Sequence, residues 1–151
     1  AGSLVNAPLI AKERGIRVVE SRSEQAADFT NLLRVTVKTT EGKNLLAGTV
    51  FGKKEPRLVR LNSFRLEALP SGPMLLVYNK DVPGVIGALG TLLGEHKVNI
   101  SRMTVGREES SMQNVILLNT DTRIAKDLLI KVQKLTNIED AMVLELPQYF
   151  R

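Results

Sequence analysis

The chain contains no cysteine and no tryptophan, one histidine, and only 4% aromatic residues. Without cysteine there can be no disulfide and no thiolate-held metal, and the composition fits a cytoplasmic location. With His96 alone, neither a multi-histidine metal site nor a Ser-His-Asp triad is in prospect. We expect no metal site and no catalytic residue in this chain. No apolar run approaches the roughly 18 residues that a membrane span requires. The opening "AGSLVNAPL" lacks a basic segment followed by an apolar one, so no signal peptide is expected. The shortage of aromatics also speaks against RNA recognition, which stacks bases on rings exposed on a sheet.

What is present is 151 residues with 43% hydrophobic content, enough for one ordinary domain or two small ones. The net charge of +5 is unevenly spread. Residues 1–73 hold twelve Lys/Arg against seven Asp/Glu, and residues 74–151 hold nine of each. A basic first half is either an ordinary solvated surface or a face for an anionic partner, such as a small phosphorylated ligand.

"EALPSGPMLL" is the best internal boundary, because Pro70, Gly72 and Pro73 make a short, stiff connection. Before it, "NAPLIAKERG" reads as a short helix, with Asn6 or Ala7 at the cap, Pro8 at the first position and Gly15 just past the end. Ile16 to Ser21 reads as a strand. Leu33, Val35 and Val37 alternate with polar residues, which predicts a half-buried strand. After the Glu41-Gly42 turn, "NLLAGTVFG" is its hairpin partner. "PRLVRLNSFRLEAL" alternates again, with a bend or break at Asn62-Ser63.

After the boundary the order is βαββαβ. "MLLVYN" is a strand and Pro83 to about His96 a helix. "VNISRMTVGRE" and "SMQNVILLNT" are strands joined by a polar turn at residues 108–111. A second helix is capped by Asp121 or Thr122, with Ile124, Leu128, Leu129 and Val132 on one face. "IEDAMVLEL" closes the sheet. This is the ferredoxin-like order, four antiparallel strands with two helices on one face. The fold class is therefore α+β.

Gly84, Gly87, Gly90 and Gly94 stand behind Pro83 in "YNKDVPGVIGALGTLLGEHKVNI". The spacing is G-x-x-G-x-x-G and not the G-x-G-x-x-G of dinucleotide sites, and no acidic residue follows where such a site needs one. The Gly-Lys-Ser/Thr of a P-loop is absent too. Spacing and topology thus argue against a nucleotide site. Each interior glycine costs about 1 kcal/mol relative to alanine, so several in one helix need a reason. One is close approach of another backbone or a small ligand; the other is tight packing of the helix on its own domain. Ile86, Leu89, Leu92, Leu93 and His96 are expected on the apolar side. Asn79, Asp81, Asn99 and the helix N-terminus suit a zwitterion. Asp81 pairs with an ammonium, the amides donate and accept, and the N–H groups near Gly84 to Ile86 hold a carboxylate. The plainer reading makes Asn79 and Asp81 turn and cap residues.

"YNKDVPGVIGALGTLLGEHKVNISRMTVGR" strongly resembles an ACT domain, the amino-acid-sensing module of metabolic enzymes. "VNAPLIAKERGIRVVES" and "AGTVFGKKEPRLVRLNSFRLEALPSG" resemble the intervening, or allosteric substrate-binding, domain of long-form D-3-phosphoglycerate dehydrogenases. Residues 1–72 would be the intervening domain, antiparallel strands with one short helix, and residues 73–151 the ACT domain. The resemblance implies the C-terminal regulatory region of an enzyme that oxidises 3-phosphoglycerate with NAD, held in another domain, on the way to L-serine. It implies a homo-oligomer formed through ACT domains, with L-serine at the seam. Asn79, Asp81 and Asn99 fall on effector-contact positions, with backbone at Gly84, Val85, Ile86 and Ile100. The family often has histidine or tyrosine at the position of Asn79. It also implies a phosphorylated substrate on a basic cleft, with Arg57 the leading contact and Arg60 and Arg65 weaker ones. The related regulatory region of an L-serine dehydratase is the alternative, and a ferredoxin-like RNA-binding module a remoter one. Nucleic acid and membrane are not expected partners.

Overall fold

The structure, a computed structural model, describes residues 6–23, 29–108 and 112–148. The chain is α+β. Its elements are α1 (Ala7–Glu13), β1 (Leu33–Thr39), β2 (Gly42–Phe51), β3 (Glu55–Leu61), β4 (Phe64–Ala68), β5 (Gly72–Lys80), α2 (Val85–Glu95), β6 (Ile100–Arg107), β7 (Gln113–Thr120), α3 (Lys126–Gln133) and β8 (Ile138–Leu146). Residues 109–111 of the expected β6–β7 turn lie outside the described residues.

The eight strands form one sheet in the order β1-β2-β3-β4-β6-β7-β5-β8, antiparallel at every pairing. The last four are the ferredoxin-like unit. β5 lies between β7 and β8 and is packed on both faces, so it reads as the continuous apolar run "MLLV" rather than an alternation. Leu75 and Val77 face the helices, where Val85, Leu89 and Leu93 of α2 and Leu128 and Val132 of α3 complete one core. Met74 and Leu76 face the other way and join Phe64, Leu66 and Ala68 of β4 in a second core. The strict alternation of β4, with Arg65 and Glu67 exposed between these three, is what lets it cover that face.

Three expectations need correction. Ile16 to Ser21 forms no strand: it has no ladder partner among the described residues, and Ile16, Val18 and Val19 are exposed. β1 is a strand but is not half-buried, because nothing described covers Leu33, Val35 or Val37. α3 starts later than its expected caps, at Lys126 with an extended Ala125 as N-cap, and the Thr120 hydroxyl donates to Thr122 O in the connection before it. The expected bend at Asn62-Ser63 is a tight turn between β3 and β4. Asn62 takes a φ of 51°, and its Oδ1 accepts the Leu45 N–H at 2.8 Å.

Candidate functional site

β5 ends at Lys80, and the chain turns through Asp81 to Gly84 into α2. Gly84 sits at the N-cap with a φ of 94°, a left-handed conformation that glycine adopts without strain. No side chain caps this helix; the Ala88 N–H is bonded to Gly84 O at 2.9 Å. The amides of the first turn therefore point outward, at the positive end of the helix dipole.

Asn79 lies at the end of β5 on the helix face and is 2% exposed. Its Nδ2 donates to Lys80 O at 2.7 Å, while its Oδ1 is buried without a hydrogen-bond partner among the described residues. Directly across the ladder stands Asn114, which the sequence reading missed; it is buried and its Oδ1 also lacks a partner among the described residues. Asp81 is half-exposed, with Arg107 of β6 3.6 Å away. Arg107 was missed as well. Its register with Asn114 puts it on the same face as Asn79, a placement that only the strand pairing reveals.

Asn99 and Ile100 do not join this group within one chain. Ile100 pairs with Thr120 and Asn79 pairs with Asn114, at opposite ends of β7. Six residues of strand separate them, about 20 Å. Asn99 instead donates to Asp121 Oδ2 at 2.7 Å. Nearby, a cleft of about 410 Å³ is lined in part by Ser71, Ser101, Arg102, Asn119 and Asp121.

The helix glycines give a clear result. A Cβ built on Gly84, Gly87, Gly90 or Gly94 would meet nothing within 4 Å. Tight packing of α2 on its own domain is therefore not their reason. Ile86, expected on the apolar side, is 47% exposed; the buried side is Val85, Leu89 and Leu93. His96 closes the other end of α2, with Nδ1 against Leu92 O and Nε2 2.8 Å from Lys131 Nζ.

Of the three arginines singled out for an anion, Arg57 is engaged. It donates to Glu55 at 2.8 Å, lies 4.0 Å from Glu67, and stacks over Phe51 at 5.9 Å. Arg60 and Arg65 are directly opposed across β3 and β4. Arg60 donates to Asn62 O at 2.9 Å.

Two family models match this arrangement in turn. Residues 3–62 match the D-3-phosphoglycerate dehydrogenase intervening domain, and residues 74–137 match the ACT domain. Relatives named D-3-phosphoglycerate dehydrogenase align over almost the whole chain. That of Methanocaldococcus jannaschii is 33% identical over 95% of this chain and 27% of its own length. Those of Synechocystis sp. and Archaeoglobus fulgidus are 34% and 36% identical over 94% and 95% of this chain. The chain belongs to the D-3-phosphoglycerate dehydrogenase family. It supplies the intervening and ACT domains of that family and spans about a quarter of the length of these relatives, 26% to 28%.

Proposed function

We propose that this chain is the effector-binding part of a D-3-phosphoglycerate dehydrogenase and that two copies together bind L-serine between their ACT domains. The catalysis belongs to a parent enzyme that oxidises 3-phosphoglycerate with NAD. The name shared by the relatives favours this parent over an L-serine dehydratase.

The observation that carries the reading is the separation of the two half-sites. Asn79, Asp81 and the α2 amides lie at one end of the helix, and Asn99 with Ile100 lies at the other. A two-fold pair that sets the helices side by side and antiparallel brings one copy's first group to the other's second, twice. The glycine stripe of α2, with no neighbour among the described residues, supplies a thin surface for that approach. Asp81 then takes the ammonium and the first-turn amides take the carboxylate. A ligand bound this way controls the parent only through its different affinity for two arrangements.

Calorimetry with L-serine on the wild type and on Asp81→Ala tests the site, with light scattering to follow pairing. Binding by the wild type and its loss in the variant is expected. Equal heats from both proteins would sink the assignment.

A further inference from the structure

The lateral register of the sheet carries one more step. Arg60 opposes Arg65 across β3 and β4, Arg65 opposes Arg107 across β4 and β6, and Arg107 opposes Asn114. Directly opposed residues point to the same face and stand one strand apart, about 4.8 Å. Three arginines thus form one row, crossing from the intervening domain onto the ACT domain and ending beside Asp81. Like charges directly opposed are unfavourable, so the row needs anionic company. Among the described residues the ion pair it makes is with Asp81, 3.6 Å from Arg107. The Arg65 side chain is exposed and makes no hydrogen bond or ion pair among the described residues.

We propose that the effector site takes an α-amino acid bearing a second anionic group on its side chain. This rests on the amino-acid reading above and names the class of ligand that fits it best. The ammonium goes to Asp81, and the side-chain anion goes between Arg107 and Arg65. Arg107 gives up a loose pair with Asp81, and each partner gains an opposite charge from the ligand. Guanidinium groups suit this task, since their fixed fork matches a phosphate or carboxylate with two parallel bonds. L-serine, with a neutral side chain, fills the Asp81 half and leaves the arginines as they are.

The test is calorimetry on the full chain with three probes: L-serine, O-phospho-L-serine and inorganic phosphate. On the wild type, O-phospho-L-serine is expected to bind at least about tenfold more tightly than L-serine, and phosphate alone only weakly. In Arg65→Gln, and again in Arg107→Gln, the ratio of the two amino-acid affinities is expected to collapse towards one. Thermal melts confirm that both variants fold. L-serine binding with no preference for the phosphorylated form would overturn the proposal while sparing the effector reading. Phosphate binding as tightly as O-phospho-L-serine would also overturn it, leaving a plain anion patch. If neither amino acid binds, the effector reading itself fails and takes this proposal with it.

Discussion

Replacing Gly87 and Gly90 by alanine separates the two reasons for the glycines of α2. Both lie inside an eleven-residue helix, and a Cβ at either position meets nothing within 4 Å. Neither has a positive φ, so alanine fits the backbone as it stands. Glycine in a helix interior costs about 0.8–1 kcal/mol relative to alanine, chiefly through the freedom it gains in the unfolded chain. With no clash to subtract, the double variant gains about 2 kcal/mol. For a chain of this size that raises Tm by about 4–8 °C. In urea the midpoint rises while the slope stays constant, because the buried surface is unchanged. The measurement uses dilute protein, so that pairing does not contribute. A lower Tm, or none of the gain, would refute the reasoning, because it would mean that α2 already has a close neighbour. If copies meet along this stripe, the same variant pairs less well and binds L-serine more weakly, so stability and function move in opposite directions.

Gly106 behaves in the opposite way. A Cβ there would lie 2.8 Å from Val115 Cγ1 and 3.0 Å from the carbonyl oxygen of Arg65, so Gly106→Ala is expected to cost about 1–3 kcal/mol in urea unfolding. An unchanged midpoint would show that β4 does not approach β6 as closely as described. Tyr78 supplies a pH test. Burial first, and then the charge of Asp140, raises its pKa above the ordinary value of 10.0. The folded state thus favours the neutral phenol, a contribution that is complete below pH 10 and is lost as pH rises through the higher folded value. Phenolate absorbance, with Tyr78→Phe subtracted, is expected to titrate late, and Asp140→Asn to bring it earlier. A titration at the ordinary value in the folded protein would contradict the burial.

The ACT half was legible because local and tertiary signals agree there. Pro83 and Gly84 open a helix whose buried residues recur at Val85, Leu89 and Leu93, and the strands around it are apolar where they are central. The first half was less legible. Val35 and Val37 alternate as a half-buried strand should, yet alternation records only which residues share a face and not whether anything covers it. Ile16 to Val19 has strand composition, but strand composition supplies no ladder partner. In the site, residue types were readable and proximity was not. Asn79, Asp81 and Asn99 flank one helix in sequence, and only the register of β7 shows that the helix holds the first two apart from the third. Arg107 was hidden for the same reason. Nothing in "TVGRE" sets it apart until β4 and β7 place Arg65 and Asn114 on either side.

The junction between the domains shows how far a boundary in sequence can differ from one in space. Pro70, Gly72 and Pro73 mark a break in the chain, and Gly72 takes a φ of 67° just there. The sheet does not break with it. Asn119, buried in β7, donates from Nδ2 to Leu69 O at 3.1 Å and to Ser71 O at 2.9 Å, so the connection is tied to the ACT sheet at both ends. Thr104 of β6 bonds Glu67 O of β4 at 2.9 Å, and Gly106 lets the two strands close up. β4 also buries Phe64, Leu66 and Ala68 against the ACT face that the helices leave open. An ACT sheet with only its helix side covered would expose Met74, Leu76, Val115 and Leu117 together. β4, which lies between the two matched domains, is therefore the second cover of the ACT core. That is why an arginine row can run from one domain into the other without a gap.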